Sequence, residues 1–164
     1  CRRIKIGVES ANSNTLYKIH KNLDLEKVVN VVNISKKLGI VVRGFFILGF
    51  PWESKQDIHN TINFAVKSGI DEPLFFALTV YPGTELENDI SEVKEENYPF
   101  CFTEKANKTY NGMSNDELNS LLLYAYQSAY SNKIKIPNEL SADLFKISSY
   151  IQSIQDGSIY ANRG

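Results

Sequence analysis

Before Val80 the chain repeats one pattern: a short apolar stretch, a polar turn, then a longer segment with helical spacing. Ile4, Ile6 and Val8 alternate as in a strand and close on Glu9-Ser10-Ala11-Asn12-Ser13-Asn14, a polar run suited to a loop and a helix start. A short helix is predicted over Thr15 to Lys21, and a longer one from Asp24, an N-cap residue, with Leu25, Val28, Val29 and Val32 at helical spacing and Gly39 as its stop. Ile40 to Phe50 is almost wholly apolar, broken only by Arg43, Gly44 and Gly49, which predicts a central parallel strand covered on both faces. After Pro51-Trp52-Glu53, Ser54 caps a helix with Asp57 at its third position. Its expected inner stripe is Ile58, Ile62, Ala65 and Val66, and Gly69 ends it. Leu74 to Val80 is the third strand, followed by the turn Tyr81-Pro82-Gly83-Thr84.

Strands alternating with helices at intervals of roughly thirty to forty residues indicate an α/β fold of parallel strands, about three βα units. In such a sheet the crossovers are right-handed and every strand-to-helix loop lies at one end, where ligands bind. Function is therefore to be sought after Val8, Leu48 and Val80. Beyond Glu85 the pattern weakens into an acidic stretch (Glu85, Glu87, Asp89, Glu92, Glu95, Glu96) read as a solvated helix face. Ser114-Asn115-Asp116-Glu117 forms a capping box for a helix over Leu118 to Tyr130, and Leu140 to Ile154 is a last helix. The chain thus divides into βα units over 1–92 and a mainly helical extension over 93–164.

The 164 residues and 43% hydrophobic content suffice for one domain with a core. Eighteen basic against nineteen acidic residues give no net field for a polyanion or an anionic membrane, so no nucleic-acid partner is expected. No run approaches the roughly 20 apolar residues of a membrane span, and a cytoplasmic setting is expected. The two cysteines, Cys1 and Cys101, have no ligand spacing. His20 and His59 lack a second ligand at helical spacing and read as surface residues, so no metal site is assigned. Cys1 opens directly onto the apolar run Ile4, Ile6, Val8, unlike a polar domain boundary, which suggests a truncated chain.

Four constellations have chemistry to offer. Glu9 and Ser10 stand at the carboxyl end of a strand, where a carboxylate offers two acceptor oxygens to vicinal hydroxyls or an amino group; capping of the next helix explains them equally. Arg43 inside an apolar strand must find an anion or a carbonyl, either Glu9 on the neighbouring strand or a ligand carboxylate. Gly49 and Pro51 permit close approach of a flat ligand, or simply a tight turn. Tyr81 puts an aromatic ring at the lip of a turn.

In order and spacing, Gly7-Val8-Glu9-Ser10, Lys21, Gly39-Ile40, Gly44 to Pro51 with Glu53, and Tyr81-Pro82-Gly83-Thr84 resemble the second half of the core of radical S-adenosylmethionine enzymes. The nearest branch is the one whose members often carry an upstream cobalamin-binding domain. The resemblance implies a partial βα barrel, of which the three strands match the fourth, fifth and sixth, and two cofactors in the parent protein, S-adenosylmethionine and a 4Fe-4S cluster, with cobalamin as an addition. Glu9 and Ser10 would contact the ribose and amino-acid part of S-adenosylmethionine, and Arg43 would reach its carboxylate or Glu9. Ile47 and Gly49 would pack on adenine, with Tyr81 near the base. Where Trp52 stands the family usually has a small residue, so Trp52 narrows the adenine pocket or fills a loop. The cluster's CxxxCxxC motif is not in this sequence, so the chain alone is expected to be catalytically inactive and to need the N-terminal half of the barrel as partner, together with a small-molecule substrate. The competing reading is a cluster-free nucleoside-binding or scaffold module.

Overall fold

The computed structural model describes residues 1–81, 83–88 and 109–131. The expectations for Pro82, Asp89 to Glu96, Cys101 and the helix Leu140 to Ile154 lie outside the described residues. The element order is β1 (Arg3–Glu9), α1 (Ser13–Lys18), α2 (Leu25–Lys37), β2 (Val41–Leu48), α3 (Lys55–Lys67), β3 (Glu72–Ala77), α4 (Glu85–Asn88) and α5 (Asn115–Tyr130).

Capping residues set most helix starts. Asn12 accepts from the Thr15 N–H, which starts α1 two residues earlier than its apolar pattern suggests. Asp24 accepts from the Glu26 and Lys27 N–H groups at the head of α2, and Leu38 and the left-handed Gly39 (φ 67°) close it. Ser54 with Asp57 and Ser114 with Glu117 are reciprocal capping boxes for α3 and α5.

The strands form one parallel sheet in the order β1-β2-β3, with Arg43 opposite both Lys5 and Glu72 and Phe45 opposite both Gly7 and Leu74. Neighbours in sequence are neighbours in the sheet, and α2, α3 and α5 bury their apolar stripes in one cluster with Val42, Phe46 and Leu48 of β2. The winding is therefore single, with the helices on one face. Among the described residues β2 has helices against one face: its residues alternate, Val42, Gly44, Phe46 and Leu48 buried on that face, and Arg43, Phe45 and Ile47 half-buried on the other, inner face. The apolar run arose because both faces carry apolar residues, one set against helices and one set, with Phe45 6.2 Å from Phe76, against each other. A correction applies to α3, where Thr61 is buried in the inner stripe and Val66 is 40% exposed.

At the amino end of the inner face Glu72 accepts from Arg3 Nη2 at 3.1 Å and from Arg43 Nε at 2.7 Å, a ladder that joins all three strands. The free edge of β3 is treated differently. Tyr126 of α5 accepts from the Phe75 N–H at 3.2 Å and donates to the Phe75 carbonyl at 3.0 Å, and Tyr130 donates to the Pro73 carbonyl at 2.9 Å. Two buried phenols thus occupy backbone groups that an edge strand otherwise leaves open, and Pro73 has no N–H to satisfy. Stacking of Phe46 on Phe75 (5.4 Å) and the edge contact of Phe75 with Tyr126 (5.5 Å) fix those phenols in place. Among the described residues β1 has a strand partner on one side, β2.

Lys55 at the start of α3 donates to Glu117 at 2.6 Å and so ties the heads of α3 and α5. That bond, with the Ser114 N–H, holds the Glu117 carboxyl down at about 2, below its ordinary 4.5. A lowered folded value contributes stability above 4.5 that is lost as pH falls toward 2. Carbon-detected titration is expected to place Glu117 near 2 and to show Lys55→Met moving it up toward 4.5; an ordinary value in the unsubstituted chain would contradict the α3–α5 tie.

Candidate functional site

At the carboxyl end of β1 the register slips between Gly7 and Glu9, and Glu9 takes φ 67°. The Ser10 N–H donates to the Val8 carbonyl at 2.9 Å, closing a three-residue turn around Glu9. A left-handed non-glycine residue costs about 1–3 kcal/mol, so the surroundings must hold it. They do so on both sides. The Glu9 carboxylate folds back over Gly7, where a Cβ would collide with Oε1, and receives Lys21 Nζ at 2.9 Å. Its side chain is 21% exposed, which leaves a half-buried ion pair on the inner face at the strand's carboxyl end.

The other side of that turn is held by Glu53. Its carboxyl Oε1 accepts from Ser10 Oγ at 3.0 Å and Thr15 Oγ1 at 3.2 Å, and Oε2 accepts from the N–H groups of Gly49 and Phe50 at 3.1 and 3.2 Å. Thr61 of α3 accepts from the Ala11 N–H at 3.0 Å and shares a hydrogen bond with Ser10. Trp52 Nε1 donates to Thr15 Oγ1 at 3.0 Å while its ring stacks on Phe50 at 5.7 Å. One buried side chain therefore joins the loop after β1, the first turn of α1 and the loop after β2. Burial pushes the Glu53 carboxyl above 4.5, and the donors from Ser10, Phe50, Gly49 and Thr15 pull it back in part.

The six residues singled out from the sequence are not brought to one place. Glu9 and Ile47 lie on the inner face toward the carboxyl ends, Ile47 packed against Phe50, Leu78 and Val80. Ser10 is wholly buried, and its hydroxyl serves Glu53, Thr61 and the Asn12 N–H. Arg43 Nε pairs with Glu72 at 2.7 Å, and the parallel register sets Arg43 opposite Lys5, near the amino end of the sheet. Gly49 serves the turn, with φ 95°, and a Cβ there would come within 2.8 Å of Leu118. Tyr81, 39% exposed, lines a separate cavity of about 550 Å³ between the end of α1, Trp52 and α4. Thr15 and Thr61 were not singled out from the sequence, and Lys21 and Glu53 stood in the resemblance without a stated role. The signal available for Glu53 was its position, a carboxylate directly after a glycine-proline turn leaving a buried strand.

Among the described residues no group of His, Cys, Asp and Glu converges to hold a metal, and no helix is long and apolar enough to cross a membrane. His20 is exposed and meets Glu85 at 3.3 Å, while His59 packs edge-on to Tyr124.

Glu53→Ala leaves the N–H groups of Gly49 and Phe50 without their acceptor and is expected to cost roughly 2–4 kcal/mol in urea unfolding. Because the folded carboxyl holds its proton more tightly than the unfolded one, its contribution is greatest below 4.5 and falls as pH rises through the raised value. Glu53→Gln is expected to flatten that part of the stability profile; an unchanged profile would show that the carboxyl is not buried as described.

No family profile matches the chain. It is 38% identical over 86 residues to an uncharacterized methyltransferase of Pyrococcus horikoshii, covering 52% of this chain and 19% of the relative. It is 34% identical over 85 residues to bacteriochlorophyllide d C-12(1)-methyltransferase of Chlorobaculum tepidum, covering 51% and 19%. With tRNA-2-methylthio-N(6)-dimethylallyladenosine synthase of Clostridium botulinum it shares 29% over 98 residues, covering 58% and 22%. The matched region is about a fifth of the length of these relatives. Motifs and relatives agree: over about half its length the chain is similar to methyltransferases and a methylthio-transferring synthase, and it resembles the radical S-adenosylmethionine superfamily.

Proposed function

We propose that this chain supplies the last three βα units of a partial barrel in a radical S-adenosylmethionine methyl- or methylthiotransferase, and that its part is to hold S-adenosylmethionine. The observation that carries this reading is the sheet's two-sidedness: a singly wound set of strands with helices on one face, and Glu9 and Ile47 on the other near the carboxyl ends. The two edges support it as well. Tyr126 and Tyr130 terminate the sheet at β3, as suits a last strand, whereas β1 is the side on which the N-terminal half of the barrel would add its strand. The names of the relatives supply the class of reaction, transfer of a methyl or methylthio group.

The residues present fit S-adenosylmethionine and not the cluster. The Glu9 carboxylate, pre-oriented by Lys21, offers an acceptor to ribose hydroxyls or the amino group, and Ile47 offers apolar surface to adenine. Three cysteine ligands for a 4Fe-4S cluster cannot come from a chain with two cysteines a hundred positions apart. In this family the bound cofactor pair supplies hydrogen abstraction by a 5′-deoxyadenosyl radical. What this chain contributes is placement: Glu9 binds and orients, its strained turn held by Ser10 and Glu53, and Ile47 excludes water from one side of the base. No residue here is assigned to cobalamin.

Glu9→Gln keeps the shape of the side chain and removes its charge. In the full-length protein, reconstituted anaerobically with iron and sulfide and reduced, formation of 5′-deoxyadenosine is expected, with KM for S-adenosylmethionine raised about tenfold in the variant, the loss of one charge-assisted hydrogen bond. Absence of 5′-deoxyadenosine from the unsubstituted protein would overturn the reading. An unchanged KM would remove Glu9 from the site.

A further inference from the structure

Helix α2 carries two apolar stripes, and only one of them is covered among the described residues. Val28 and Val32, with Ser35, are buried against the sheet. Val31, Ile34 and the C-cap residue Leu38, spaced by three and four positions, form the second stripe and are 40%, 58% and 68% exposed. That spacing is the seam of a helix that packs on another helix. At 3.6 residues per turn Lys36 lies about 140–160° round the helix from each residue of the second stripe. Lys36 shows which flank is which. Its Nζ and Val32 Cγ1 come within 3.0 and 3.5 Å of the place a Cβ would take at Gly69, between α3 and β3. The Lys36 flank therefore faces β3, and the flank of Val31, Ile34 and Leu38 faces the side of β1 away from β2.

Strand β1 is open on that same side. Its outer edge has no strand partner among the described residues. Ile4 and Ile6 pack on the core cluster yet are only half-buried, whereas Val42, the partner of Ile4 in β2, is wholly buried. Leu38 and Ile4 lie at one end of the sheet, since Val41, just beyond Leu38, pairs with Arg3. An open strand edge, a half-covered strand and an uncovered helix flank thus adjoin. An antiparallel strand joined by a tight turn closes the edge alone. A parallel strand closes all three, because its right-handed crossover lays a helix on the face that α2 occupies, beside α2.

We propose that the outer edge of β1 and the flank of α2 carrying Val31, Ile34 and Leu38 form one docking surface, and that its occupant is a βα unit: a strand added parallel to β1, followed by an amphipathic helix whose apolar face packs on that flank. The relatives have the chain for such a unit, since the matched region is about a fifth of their length. The inference rests on the barrel reading for the source of the unit, and adds to it the helix contact and the three residues that make it.

The test is thiol labelling of the full-length protein carrying Ile34→Cys, Leu38→Cys or Asn33→Cys, with the labelled peptides resolved by mass spectrometry so that native cysteines do not interfere. Asn33 is exposed and about 100° round α2 from Ile34, so it reports the solvent side of the same helix. Ile34→Cys and Leu38→Cys are expected to react at least about tenfold more slowly than Asn33→Cys, as buried thiols do. Tenfold dilution is expected to leave that ratio unchanged, and in the 164-residue chain by itself the three positions are expected to react alike. Equal reactivity in the full-length protein would overturn the proposal. Protection lost on dilution would overturn it by making the occupant a second copy, and protection in the 164-residue chain by placing the occupant within this chain. The readout is independent of the chemistry: protected thiols without 5′-deoxyadenosine would strike the proposed function alone, and 5′-deoxyadenosine with equally reactive thiols would strike this inference alone.

Discussion

A buried carboxylate that accepts four hydrogen bonds is the constraint on which the carboxyl end of this sheet depends. Glu53 takes two donors on each oxygen, hydroxyls from Ser10 and Thr15 on one and backbone N–H groups from Gly49 and Phe50 on the other. Left unpaired, a carboxyl so enclosed is costly, and burial pushes it above its ordinary 4.5; paired, it ties three separately coded segments together. Ser10 is the residue that follows Glu9, so the same network fixes the left-handed turn that aims the Glu9 carboxylate back across Gly7. Strain at Glu9, anchoring at Ser10 and acceptance at Glu53 are successive links of one arrangement.

The sheet is asymmetric in every direction that bears on function. One face is packed against α2, α3 and α5, while the other changes along the strands from the Arg3–Glu72–Arg43 ladder through Phe45 and Phe76 to Ile47. At the amino end the charges are paired in that ladder, and at the carboxyl end the Glu9–Lys21 ion pair stands beside apolar surface. Across the strands, Tyr126 and Tyr130 finish the sheet at β3 by bonding its outward backbone groups. Helix α5 is thus more than a cover for the core; among the described residues it also occupies the outer edge of β3.

Much of this was legible in the residues and some was not, for physical reasons. Local chemistry read well: Asp24, Ser54 and Ser114 cap the helices they were expected to cap, because an N-cap depends on a few adjacent residues, and the three parallel strands follow from the spacing of apolar runs. Register did not read. Arg43 was expected to meet Glu9 or a ligand carboxylate; parallel pairing sets it opposite Lys5 and Glu72, and only the three-dimensional pairing shows that Glu72 is a partner. Faces could not be told apart where both carry apolar residues, as in β2, since alternation is invisible in a run that is apolar throughout. Ser10 was read from its place at a strand end as a ligand contact or a helix cap, and its hydrogen bonds to Thr61, fifty-one positions away, and to Glu53 could not be read there. The resemblance to radical S-adenosylmethionine enzymes named Glu53 without giving it a role, and the four hydrogen bonds that give it one join residues up to forty-three positions apart.

Amide hydrogen exchange at Gly49 and Phe50 tests the central claim most directly. Both lie just beyond the end of β2, where a loop amide with no acceptor exchanges quickly. If the Glu53 carboxylate holds them as described, their protection should match that of Phe46 in the core of the sheet and collapse together in Glu53→Ala. Fast exchange at both positions in the unsubstituted chain, with Phe46 protected, would contradict the account.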